Sequence, residues 1–149
     1  MKTLEKVSIK EALRIINKIP FFASFSEEEK LSIANQHSKF LMFEPHEIII
    51  RENEPGDSFY VLLTGNVNVI KMSGSVLASL GPGECFGEMA YLTNQHRSTG
   101  VVADSEPVVV LQVDKGLMDV LNPTEREKIK DKLLERLVER IQFMNKLIY

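Results

Sequence analysis

Between Lys39 and Val113 the apolar residues come in short runs, each ended by a turn signal, and this punctuation limits the fold more than any other feature. Strands are expected over 39–43, 47–51, 58–64, 66–71, 75–80, 98–103 and 107–113. The breaks fall at Glu44-Pro45-His46, Glu54-Pro55-Gly56-Asp57, Gly65, Ser73-Gly74 and Gly81-Pro82-Gly83, residue types that supply turn backbone. Asn66-Val67-Asn68-Val69 alternates with the period of a half-buried strand. Many short strands at even spacing argue for a sandwich or a barrel.

Helix signals flank this region. Ser8-Ile9-Lys10-Glu11 has the form of a capping box, and Ala12, Leu13, Ile15, Ile16 and Ile19 follow at helical spacing before Pro20. Phe21, Phe22 and Phe25 form an aromatic connector to a second capping box, Ser26-Glu27-Glu28-Glu29. Its glutamates suit the positive end of a helix dipole and read as a solvated helix start. After the strands, Asp114 caps a brief helix through Val120, and Asn122-Pro123-Thr124-Glu125 opens a last helix. Ile129, Leu133, Leu137, Ile141, Met144 and Ile148 form its apolar stripe, widened by Leu134, Val138 and Leu147. So wide a stripe calls for cover by the strands or by a second subunit. The expected fold is α+β, an antiparallel β-roll (jelly-roll-like barrel) flanked by N-terminal and C-terminal helices. One domain is expected over 1–149, with N-terminal helices in 1–38, the β-roll in 39–113 and C-terminal helices in 114–149.

Composition narrows the function. The 149 residues are 44% hydrophobic and 26% charged, with a formal net charge of −3, so no basic surface advertises nucleic acid. The apolar runs are too short to span a bilayer, and the N-terminus has no signal-peptide pattern. The lone cysteine, Cys85, forms no internal disulfide, and the cytoplasm is the expected location. His37, His46 and His96 stand apart with no metal-ligand spacing, and Ser98 has no histidine–carboxylate arrangement. An enzyme is not expected.

The stretch 86–103 carries the candidate chemistry. Gly87 lets backbone approach a ligand closely, and the short helical turn after it offers N–H groups to an anion. Arg97 can hold phosphate oxygens in a planar fork, and Glu88, nine residues before it, is an acceptor for a sugar hydroxyl. A ligand with one phosphate and a nearby sugar hydroxyl fits both ends.

Ordered segments give this stretch a family likeness. Glu54-Pro55-Gly56-Asp57-Ser58-Phe59-Tyr60-Val61-Leu62-Leu63-Thr64-Gly65, then Leu80-Gly81-Pro82-Gly83-Glu84-Cys85-Phe86-Gly87-Glu88, then Arg97 resemble the cyclic-nucleotide-binding domains of catabolite activators, kinase regulatory subunits and gated channels. The resemblance covers roughly Ile15 to Ile141 and implies a phosphate-binding cassette in 86–103. It implies that Arg97 pairs with the cyclic phosphate, aided by Ser98, and that Glu88 accepts from the ribose 2′-OH. Gly87, Met89 and Ala90 would line the pocket with backbone, and Thr99 is counted among the ligand-binding residues. His96 stands where many members have proline, and Gly100 where a Thr or a bulkier residue is common, near the base. The ligand implied is a purine cyclic monophosphate, cAMP ahead of cGMP, with no cofactor.

Three functions compete. The first is a cyclic-nucleotide sensor that signals through the last helix to an effector the sequence does not name. The second is a module of the same shape that has lost its ligand and works in protein interaction or dimerisation. The third is a metal-dependent cupin-type enzyme, disfavoured by the missing ligand cluster. A homodimer is expected through the last helix. The residues after Asn122 make one helix rather than a DNA-reading pair, so no nucleic acid and no membrane is expected as a partner of this chain alone.

Overall fold

The computed structural model describes residues 1–3, 8–35 and 39–148. His37, Tyr149 and the side chains of Met144, Leu147 and Ile148 therefore lie outside the described residues. The elements run β1 (Lys2–Thr3), α1 (Ile9–Asn17), a 3-10 turn (Pro20–Phe22), α2 (Glu27–Asn35), β2 (Lys39–Phe43), β3 (Ile48–Ile50), β4 (Phe59–Thr64), β5 (Val67–Ile70) and β6 (Val76–Leu80). They continue with β7 (Cys85–Phe86), α3 (Glu88–Thr93), β8 (Gly100–Ala103), β9 (Val108–Val113), α4 (Lys115–Val120) and α5 (Pro123–Ile148). All pairings are antiparallel, in two sheets of order β1-β2-β9-β4-β7 and β3-β8-β5-β6. This is the expected β-roll with helices at both ends.

The first sheet lies between two apolar layers. Alternate residues of β4 and β9, Phe59, Val61, Leu63, Leu111 and Val113, face a cluster built with Ile16, Phe21, Phe22, Ile33, Leu117, Ile129 and Leu133 from the helices. The intervening Tyr60, Leu62, Val108 and Val110 face the second sheet and cluster with its Ile50, Val67 and Val101 and with Phe86 of β7. Buried on both faces, β4 reads as a continuous apolar run rather than an alternating one. The second sheet is open to solvent at its β6 edge, where the neighbouring Val76 and Leu77 are both exposed.

The helix starts form as their sequences dictate. The Ser8 side chain accepts from the Glu11 N–H. Ser26 and Glu29 cap each other reciprocally at 2.8 and 3.1 Å, and Asn122 and Glu125 do the same at 3.1 and 2.8 Å. Asp114 caps α4 through the Leu117 N–H at 2.9 Å. Glu29 corrects the expectation of a purely solvated acidic run. It also takes the Lys128 ammonium at 2.5 Å, tying α2 to α5, and that bond is the first cause holding its carboxyl below the usual range.

The stripe on α5 divides. Ile129 and Leu133 are buried, whereas Leu134, Val138, Ile141 and Phe143 are exposed. The first half of the helix thus closes the core, and the second half runs past it.

Phe59, fully buried against Phe21 and Tyr91, joins the strand layer to the helix layer. Phe59→Ala should cost about 3–5 kcal/mol of stability, read from urea unfolding, and a loss below about 1 kcal/mol would show that the helix layer is not docked there.

Candidate functional site

The turn between β3 and β4 builds one side of the site. Asn53 sits at φ 70, in the left-handed region that asparagine tolerates, and turns the chain back on itself. Its N–H donates to the Arg97 carbonyl at 2.8 Å, and the Arg97 N–H donates to the Glu54 carbonyl at 2.9 Å. Arg97 is held by its backbone from both directions. Its neighbour is held too, since the Lys71 ammonium donates to the Ser98 carbonyl at 2.9 Å while pairing with Glu52.

The Arg97 side chain runs inward and is only 6% exposed. Its Nη1 donates to the Gly87 carbonyl and its Nη2 to the Ser58 carbonyl, each at 2.8 Å. Among the described residues no carboxylate comes within ion-pair distance of it. A guanidinium has five N–H donors, so these carbonyls fix its orientation and leave donors on both terminal nitrogens unspent. The result is an aimed cation whose charge no side chain among the described residues neutralises.

Glycine makes the slot for that head group. A Cβ on Gly56 would lie 2.6 Å from the Arg97 Cζ and closer still to two of its nitrogens. A Cβ on Gly87 would lie 2.9 Å from Nη1, and Gly87 is at φ 81 besides. The expectation that Gly56 is a turn residue alone is therefore incomplete, because it also gives Arg97 room.

Beside this slot α3 begins, and its first-turn N–H groups have no intrahelical acceptor. Glu88, in that turn, is 3% exposed. Its carboxylate takes a salt bridge from Arg140 of α5, whose Nη2 also donates to the Cys85 carbonyl at 2.6 Å. Cys85 itself is buried, and burial first, then the Glu88 charge, pushes its thiol up to about 12. It stays a packed thiol at neutral pH.

A cavity of about 230 Å³ brings together Gly87, Glu88, Met89, Ala90, Arg97, Ser98 and Thr99, every residue singled out from the sequence. Val69, Ala78, Leu80 and Val101 supply an apolar wall, and Arg140 closes the α5 side. Ala90 is buried, Thr99 is half-buried, and Met89 and Ser98 are exposed at the rim. Gly100 does not line this cavity. On a strand alternate residues face opposite ways, and a Cβ on Gly100 would meet the Ile50 carbonyl and the Ile70 side chain at 3.3 Å. Arg140 was not legible as a site residue, because on α5 it reads as one more basic position on a charged helix. Among the described residues no group of His, Cys, Asp and Glu is placed to hold a metal ion, and no helix is long and apolar enough to cross a membrane.

If Gly56 serves Arg97, the two positions are energetically coupled. Gly56→Ala should cost about 1–3 kcal/mol by overpacking, and distinctly less in an Arg97→Ala background. Equal costs in both backgrounds, measured by urea unfolding in a double-mutant cycle, would separate Gly56 from the arginine.

Residues 40–121 match the model of the cyclic nucleotide-binding domain. The chain is 29% identical over 138 residues to a cGMP-dependent protein kinase of Eimeria tenella, covering 92% of this chain and 14% of that protein. It is 33% identical over 112 residues to a cAMP-dependent protein kinase regulatory subunit of Hypocrea atroviridis, covering 74% of this chain and 23% of that protein. The chain thus spans less than a quarter of the length of these curated relatives. Its fold is similar to the crystal structure of a cyclic nucleotide-binding domain from Methylobacillus flagellatus KT, with TM-score 0.78, 30% identity, and coverage of 94% of this chain and 82% of the other. The resemblance is to non-catalytic regulatory and sensor domains, and this chain belongs to the cyclic nucleotide-binding domain family.

Proposed function

We propose that the chain is a sensor for a purine cyclic monophosphate, cAMP ahead of cGMP, acting as one module over residues 1–149. The observation that carries this reading is Arg97, a buried and oriented guanidinium with no carboxylate partner among the described residues, lining the same cavity as Glu88. A cyclic phosphodiester has one negative charge and two exocyclic oxygens, which the unspent donors of Arg97 suit. Ser98 and the first-turn N–H groups of Met89 and Ala90 add neutral donors at the same end, beside Gly87. Glu88 accepts from the ribose 2′-OH. The base lies toward Thr99 and the apolar wall of Val69, Ala78 and Leu80, whose few polar atoms suit adenine better than the more polar edge of guanine. The output is conformational, through α5 to an effector protein, in the cytoplasm.

Arg97→Ala should cost about 2–5 kcal/mol of cyclic-nucleotide binding, as loss of one partner of a buried charge pair does, with Arg97→Lys recovering part. Lys supplies a point charge without the planar fork. Without ligand, the Arg97→Ala variant should fold but melt somewhat below the parent, because the Ser58 and Gly87 carbonyls lose that donor. Ligand should raise the melting temperature of the parent and leave the Ala variant unmoved. If cAMP and cGMP at millimolar concentration leave the parent's melting curve unchanged, the receptor reading falls.

A second reading, a protein-interaction or dimerisation module, is favoured by the exposed Leu134, Val138, Ile141 and Phe143 on the distal half of α5. The spacing of Leu134, Val138 and Ile141 is that of a helix–helix seam, and it supports a homodimer through the distal half of α5; Leu133 is taken up by the chain's own core instead. Sedimentation should give a dimer, and Val138→Glu should return a monomer. A parent that stays monomeric at high concentration retires the dimer.

A further inference from the structure

Regular strand pairing on both sides of β8 stops short of Arg97 and Ser98. The pair nearest them is Ile70↔Gly100 on the β5 side and Ile50↔Val101 on the β3 side. Other contacts take over where the ladders end. On the β3 side they are the backbone bonds of Arg97 with Asn53 and Glu54. On the β5 side a side chain does the work of a strand, as the Lys71 ammonium donates to the Ser98 carbonyl at 2.9 Å.

Lys71 is braced at both ends. Its N–H donates to the Ser75 carbonyl at 3.0 Å and its own carbonyl accepts from the Gly74 N–H at 2.8 Å, which fixes its backbone in the β5–β6 turn. Its ammonium lies 2.9 Å from one oxygen of Glu52, and the Met72 N–H donates to the other at 3.1 Å. Two turns are thereby interlocked around the Ser98 backbone. Ser98 lines the ligand cavity beside Arg97, and Lys71 does not.

We propose that Lys71, aimed by Glu52, is a positioning residue for the phosphate, holding the backbone of Arg97 and Ser98 in its binding geometry before a ligand arrives. The inference rests on the cyclic-nucleotide reading above. A segment ordered in advance spares the ligand the cost of ordering it. Lys71 and Glu52 cancel in charge, so the contribution is one of geometry rather than attraction for the anion. The Lys71 side chain is 46% exposed, and exposed ion pairs contribute little to stability. Loss of the pair should therefore lower affinity without a matching loss of stability.

The test uses the full chain with cAMP, by calorimetry, urea unfolding and hydrogen exchange. Lys71→Met keeps the aliphatic stem and removes the donor, and the double variant Glu52→Gln/Lys71→Met also keeps the pair's net charge at zero. Both should bind cAMP roughly three- to tenfold more weakly than the parent, the range expected for ordering one more side chain's worth of structure. Without ligand, both should exchange the hydrogen-bonded Asn53 and Arg97 amides faster, while the urea midpoint stays near the parent's. Lys71→Arg, which can still donate, should recover part of the affinity. Should Lys71→Met fail to fold, Lys71→Gln takes its place in both variants. Weakened binding in the single variant with parental affinity in the charge-neutral double would make charge the cause and overturn the positioning role. A lowered urea midpoint with parental affinity would make Lys71 merely structural. A parent that binds neither cAMP nor cGMP overturns the receptor reading and this inference with it, whereas a parent that binds and variants that match it overturn the positioning role alone.

Discussion

The grip of two backbone carbonyls on the Arg97 guanidinium is the interaction on which the site depends. Ser58 opens onto β4 and Gly87 leads into α3, so one side chain joins the roll to the short helix beside it. Carbonyls orient a cation without cancelling its charge, which a carboxylate in the same place would do. The cation then keeps its charge at the wall of the cavity. The slot exists because Gly56 and Gly87 have no side chains where the head group lies.

The outer parts of the site differ in how they are held. Arg97 and Ser98 are fixed by the 51–54 turn and by Lys71, all from strand ends of the roll. Glu88 is fixed by α5, an element whose distal half buries little. One end of the site is therefore as firm as the β-roll, and the other is only as firm as the helix that reaches it.

Much of this was legible in the sequence, for local reasons. Capping boxes at Ser26 and Asn122 involve residues three apart, and turn residues mark strand ends wherever they occur. The strand 39–43 and the helix starts came out as read. β7, Cys85–Phe86, was not legible, because two residues give no period and only pairing with Tyr60 and Val61 defines them. The seven residues read as ligand-facing share one cavity because they lie in one short stretch. Arg140, Gly56 and the Ser58 carbonyl join them from distant positions, and no local pattern encodes such a meeting. Gly100 faces away from that cavity because successive residues of β8 alternate between faces.

The helix-side core has a consequence for how the chain is made. That layer contains Ile16 and Phe22 from one end and Ile129 and Leu133 from the other, and Lys128 locks onto Glu29 across the seam. On a ribosome the strands emerge well before α5 does. Until Leu133 has left the exit tunnel, the helix-side cluster on the central sheet is closed only by its N-terminal members and lacks Ile129 and Leu133, so part of that face is open to water or to other chains. Synthesis delivers residues at roughly 5–20 per second, so this vulnerable interval lasts on the order of seconds. Such distant closure also predicts slow folding, as contacts of high sequence separation do. The nascent chain is thus a natural client for whatever shields exposed apolar sheets during translation.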